Sequence, residues 1–219
     1  MEIKWTKLQY PTINLQMTDA TCLRGYFANK YIDHDILHNH TSKGYSYRYP
    51  LVQYKLIDGI PTIIGLQLGA DEVVNLGLAE ELISIANSKY MIDNVTIETN
   101  YTEIGLTSKP YEYKFITPWL ALNQENISKY KNIVDSDTLL RHILIQNIIQ
   151  FAKSSQYQVP DTIIVEFDDI VEVETHLKGV SMLGFMGSFK VNFKLPDLVG
   201  LGKSASRGFG TITKKVKLL

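Results

Sequence analysis

Six apolar residues between Asp135 and Lys153 constrain the fold of this chain more than any other feature. Leu140, Ile143, Leu144, Ile148, Phe151 and Ala152 recur at steps of three, one and four, which places them along one face of a helix. A stripe of that width has to be buried against another layer. The segments around it change to a period of two. Tyr111 to Ala121 reads as a strand before the helix; Thr162 to Thr175 and Val180 to Phe193 read as long strands after it, joined near Lys178-Gly179. Leu195 to Gly200 fits a helical turn or loop, and Gly210 to Lys217 a last strand.

The first half has the same grammar. Residues 2–10 read as a strand, Thr18 or Asp19 caps a helix running to about Tyr31, and strands over 47–56 and 62–68 flank the hairpin turn Asp58-Gly59. A helix over 70–86 and a strand over 94–104 complete it. Each half thus reads β-α-β-β-α-β, the second with a reduced second helix. The prediction is an α+β protein of two domains, 1–108 and 109–219, meeting near Ser108-Lys109-Pro110 without a flexible linker.

Composition excludes several classes. No apolar run reaches the length of a membrane span. The opening Met-Glu-Ile-Lys-Trp lacks a secretory pattern, and Cys22 is the sole cysteine, so no intrachain disulfide is expected; a cytoplasmic protein follows. The net charge of −1 hides an asymmetry. From Lys178 onward seven lysines and one arginine face a single aspartate, giving +7 and leaving −8 on the rest. A basic segment on an acidic body fits a localised nucleic-acid footprint, and equally a set of solvated strand faces.

That basic segment contains Gly200-Leu201-Gly202-Lys203-Ser204-Ala205-Ser206-Arg207-Gly208-Phe209-Gly210. Two Gly-apolar-Gly units flank small and basic residues. Glycines permit positive φ and let backbone N–H groups turn outward to cradle an anion. Lys203, Arg207, Ser204 and Ser206 add charge and hydroxyl donors, so the expected ligand is phosphate. The stretch departs from a P-loop, because Asp197 stands where its first glycine belongs. A dinucleotide fingerprint would need a further helix, strand and acidic residue beyond it. A plain flexible hairpin would carry the same residue types.

Three of the five histidines fall in His34-Asp35-Ile36-Leu37-His38-Asn39-His40. Two pairings are open. In an extended segment His38 and His40 share a face, about 6.5–7 Å apart at Cα. In a helix His34 and His38 pair instead. Two imidazoles can divide the work of base and acid. RNA can be cut this way without metal: one takes the proton of an attacking 2′-hydroxyl and the other protonates the leaving 5′-oxygen. A solvated polar loop, or a metal site using Asp33 and Asp35, remains open on residue types alone. Downstream, Tyr45-Ser46-Tyr47-Arg48-Tyr49-Pro50 and Tyr54-Lys55 interleave aromatic and basic groups, which suits base stacking and phosphate contact; tyrosine is also a good strand residue.

These residues resemble a known family. The Gly200-to-Gly210 stretch is similar to the C-terminal glycine-rich motif of the repeat-associated mysterious protein superfamily of CRISPR systems. Leu37-His38-Asn39-His40, Tyr47-Arg48-Tyr49-Pro50-Leu51-Val52-Gln53-Tyr54-Lys55 and Ile64-Gly65 resemble its repeat-processing endoribonucleases, the type I-B-like subgroup in particular. The resemblance implies tandem ferredoxin-like (RRM-like) domains. It implies metal-independent, cofactor-free cleavage of CRISPR precursor RNA within repeats. It places the catalytic histidine after the first helix, so His40 is expected first and His38 second, with Tyr47 assisting. Gly200, Gly202, Lys203, Ser204, Ser206, Arg207, Gly208, Gly210 and Arg48 would contact RNA. Expected partners are repeat RNA, a CRISPR effector complex and a second copy in a homodimer, with no membrane. A pI near 6.5 is low for an RNA binder. The competing expectations are a non-catalytic RNA-binding relative within an effector complex and an RRM-like module that binds protein.

Overall fold

A computed structural model describes residues 1–16, 19–32, 34–38, 40–41, 44–45, 49–85, 88–132 and 135–215. The chain divides into two compact units. One comprises Glu2–Thr102 with Ser206–Gly208; the other comprises Met1, Glu103–Ala205 and Phe209–Leu219.

The first unit runs β1 (Glu2–Gln9), α1 (Ala20–Lys30), α2 (Asp35–His38), β2 (His40–Thr41), β3 (Gly44–Tyr45), β4 (Val52–Ile57), β5 (Ile60–Leu66), α3 (Leu68–Ala79), β6 (Leu82–Ile85), β7 (Ser88–Met91) and β8 (Thr96–Glu103). Its main sheet has the order β4-β5-β1-β8. Counting those four strands along the chain, the order from the β8 edge is 4-1-3-2, the ferredoxin-like arrangement, with α1 and α3 as the two connections. Register is set by the turn the sequence predicts. Asp58 and Gly59 both have positive φ, 53° and 80°, and Ile57 faces Ile60. Leu23 and Phe27 from α1 and Val73 and Leu76 from α3 pack on Leu8, Tyr54 and Ile63 of the sheet, and Leu37 of α2 joins the same core.

The expected helix over 70–86 stops at Ala79. Glu80 is extended (φ −95°, ψ 121°) and its buried carboxylate accepts hydrogen bonds from Tyr31 and Lys30. Beyond it Ile83 and Ile85 alternate with exposed Ser84, and β6 pairs with β7 as a hairpin. A period of two had been hidden inside an apolar run.

The second unit runs β9 (Gly105–Trp119), α4 (Gln124–Asn132), α5 (Ser136–Ser154), β10 (Val165–Phe167), β11 (Val171–Leu177), β12 (Val180–Lys194), a 3₁₀ turn (Ala205–Arg207) and β13 (Ile212–Lys214). The order β10-β12-β9-β13, with β11 also on β12, repeats the ferredoxin-like arrangement. The second helix is reduced to the single 3₁₀ turn. The six residues of the predicted stripe are the buried residues of α5, and the Asp135 side chain caps it by accepting from the Thr138 N–H at 3.1 Å. The expected strand over 162–175 is broken at 168–170. There Asp169 accepts from the Ser188 N–H at 2.6 Å, beside a bulge at Gly187 (φ 131°). The helix α4 was missing from the sequence reading; its signal is Asn123, whose Oδ1 accepts from the Asn126 N–H at 2.8 Å. No helix among the described residues is long and apolar enough to cross a membrane.

Candidate functional site

The histidine segment leaves α1 through Tyr31. The His34 N–H donates to the Tyr31 carbonyl at 3.0 Å, and the Leu37 N–H to the His34 carbonyl at 2.9 Å, so the chain turns at once into α2. His38 ends that helical turn, and His40 opens β2 opposite Tyr45 of β3. The extended pairing does not describe this backbone. His38 is helical and His40 extended, so they do not sit at alternate positions of one strand. His34 is engaged elsewhere: its Nδ1 lies 3.2 Å from Oε2 of Glu72 on α3. Tyr47 and Arg48 lie outside the described residues.

Tyr49, Tyr54 and Lys55 are not surface groups. Tyr49 is buried and its hydroxyl accepts from Gln53 Nε2 at 2.9 Å. Tyr54 and Lys55 are both fully buried, because β4 is covered on both faces. Stacking of Tyr54 on Phe27 at 5.5 Å is a core contact, and burial pushes the Lys55 ammonium down to about 7. The expected use of Tyr54-Lys55 on RNA is therefore corrected: alternation of aromatic and basic residues marks the inside of this strand.

In the glycine-rich stretch the residues closest to the sheet face inward. Gly200 forms a bridge with Thr211, the Leu201 N–H donates to the Gly210 carbonyl at 2.9 Å, and the Gly210 N–H to the Pro118 carbonyl at 2.8 Å. The Lys203 N–H reaches the Leu120 carbonyl at 3.2 Å. These N–H groups close the loop rather than turning outward. Gly202 (φ 84°) permits a close approach: a Cβ there would stand 2.7 Å from Trp119 Nε1, the atom that donates to Asn147 Oδ1 at 3.0 Å. The outward chemistry belongs to the tip. Lys203 is exposed, and Ser204, Ser206 and Arg207 are partly exposed, between Gly202 and buried Gly208.

Ser206, Arg207 and Gly208 group with the first unit, where Gly208 approaches the Tyr54 carbonyl. Arg24 of α1 belongs to the same neighbourhood. Burial and then the charge of Arg207 lower its pKa, and burial lowers that of Arg207. Both guanidiniums are thus partly withdrawn from water, and the charge of one is felt at the other. Nothing in the sequence singles out Arg24, because a lone arginine on a helix looks like any solvated charge.

Comparison with known proteins bears on the whole chain. Residues 1–103 match the Cas6b N-terminal domain family and residues 105–215 the Cas6b C-terminal domain family. A crystal structure of Cas6b superposes with a TM-score of 0.93 at 38% identity, covering 98% of this chain and 100% of that one. A second, of a Cas6b described as a CRISPR RNA processing endoribonuclease, gives 0.81 at 35% identity with the same coverage. An uncharacterized protein of Methanocaldococcus jannaschii is 33% identical over 138 residues, 60% of this chain and 91% of its own length. With both domain families matched in order along its length, the chain belongs to the Cas6b family.

Proposed function

We propose that this protein cuts CRISPR precursor RNA within its repeats, without a metal ion, to give guide RNAs. One observation carries the reading. A segment holding His38 and His40 follows the first helix in a chain 35% identical to a CRISPR RNA processing endoribonuclease. One imidazole takes the proton of the ribose 2′-hydroxyl, and O2′ attacks the adjacent phosphorus. The P–O5′ bond breaks, and the second imidazole gives its proton to the departing O5′. The products are a 2′,3′-cyclic phosphate and a 5′-hydroxyl, so RNA supplies its own nucleophile. Tyr47 and Arg48 stand close in sequence to assist, and Lys203, Ser204, Ser206 and Arg207 hold the backbone phosphates.

The test is repeat RNA incubated with the protein in EDTA. Cleavage within the repeat leaving a 5′-hydroxyl and a cyclic phosphate is expected. Cutting that requires Mg²⁺, or that leaves a 5′-phosphate, overturns the mechanism. RNA bound but never cut favours a non-catalytic role in an effector complex.

Arg24 supplies a second prediction. Arg24→Gln should weaken repeat-RNA binding about five- to tenfold and lower the slope of log K against log salt by about one, as expected for one lost phosphate contact. Filter binding across a salt series measures both; an unchanged slope removes Arg24 from the RNA surface.

A further inference from the structure

The histidine segment is held by carboxylates that the cleavage chemistry does not use. Glu80, at the end of α3, has a side chain wholly removed from water. Its Oε1 accepts from the Tyr31 hydroxyl at 2.7 Å, and its Oε2 from Lys30 Nζ at 2.8 Å and the Tyr26 hydroxyl at 2.9 Å. Tyr31 caps the C-terminus of α1 just before the segment, and its own N–H still bonds the Phe27 carbonyl. Its ring stacks on Phe27 at 6.5 Å and meets the His34 ring edge-on at 5.8 Å. His34 in turn pairs with Glu72. Leu37 is buried in the core. His38 follows directly. Tyr31, His34 and Leu37 are thus each held in the first unit, by Glu80, by Glu72 and by the core respectively.

A core built from apolar residues would hold α1 against α3 at least as well, because burying a carboxylate costs heavily unless every oxygen is matched. What a matched buried carboxylate adds is a single allowed geometry. Here that geometry is imposed on the residues that deliver His38 and His40. Imidazoles that must meet a 2′-oxygen and a 5′-oxygen in one transition state tolerate little misplacement.

We propose that Tyr31 and Glu80, seconded by the His34–Glu72 pair, are positioning residues that set the register of the histidine segment for strand cleavage. This rests on the endoribonuclease reading above. Tyr31→Phe keeps the ring contacts with Phe27 and His34 and removes only the hydroxyl donated to Glu80. Glu72→Gln, on the partly exposed side of α3, removes the charge facing His34 without opening the core.

The experiment is single-turnover cleavage of repeat RNA at saturating protein, with Kd and thermal midpoint measured alongside. Ile85→Val, a core change in β6 remote in sequence from the segment, is the control for stability. The expected result is a fall of about tenfold in the saturated rate for Tyr31→Phe, and a smaller fall for Glu72→Gln, with Kd unchanged within a factor of two. Ile85→Val should keep the wild-type rate. Wild-type rates in both variants, or a loss in Ile85→Val equal to that in Tyr31→Phe, overturn the positioning role. If the wild-type protein itself leaves repeat RNA intact, the failure lies with the endoribonuclease reading instead.

Discussion

Replacing His40 by alanine should slow cleavage of repeat RNA in EDTA by about 10²–10⁴, the usual worth of a general acid or base, while leaving RNA affinity within a factor of two. His40 opens β2 with its backbone paired to Tyr45 of β3. His38→Ala should cost a similar factor if the two imidazoles divide the proton transfers. The double variant should then be little slower than either single one, because groups that act together in one transition state do not contribute additively. If His38→Ala is near wild type while His40→Ala is inactive, a single imidazole carries the reaction and the second proton comes from elsewhere, with Tyr47 the next residue to substitute. Undiminished cutting by His40→Ala removes it from the mechanism.

Much of this architecture was legible because it depends on local periodicity. The stripe of α5 stands in the sequence residue by residue, and Asp58-Gly59 locates the hairpin that sets the register of the first sheet. The elements that escaped were those decided by burial. Leu82 to Ile85 reads as more helix in the apolar run, but the backbone turns extended at Glu80 and Ile83 and Ile85 are buried on alternate positions of a strand. Tyr54-Lys55 looks like an RNA surface because Gln53 and Lys55 alternate with Val52, Tyr54 and Leu56 as on a half-exposed strand, yet both alternating sets of β4 are buried. The candidate site divides the same way. Histidines clustered in sequence are visible as such, whereas the Tyr31–Glu80 contact joins residues 49 positions apart and leaves no trace in spacing.

The glycine-rich stretch allows the sharpest test of closure against ligand approach. Gly210→Ala should lower the stability of the second unit by about 2–4 kcal/mol, which for a chain of this size is a fall of roughly 5–15 °C in thermal midpoint. Two costs add. Gly210 has φ 61°, where a side chain is disfavoured by about 1 kcal/mol or more. A Cβ there would also overlap the Leu201 carbonyl oxygen, a backbone atom that cannot turn aside. Gly179→Ala separates the two. Gly179 also has positive φ, 76°, in the β11–β12 turn, but a Cβ there meets open space, so only the conformational cost of about 1 kcal/mol remains. Calorimetry of both variants should therefore show the larger drop for Gly210→Ala. Equal drops would mean that the loop yields at Leu201 and that its glycines serve ligand approach alone. A larger drop assigns Gly210 to closing the loop on β9 and leaves phosphate contact to Lys203, Ser204, Ser206 and Arg207, whose individual substitution should weaken RNA binding without moving the thermal midpoint.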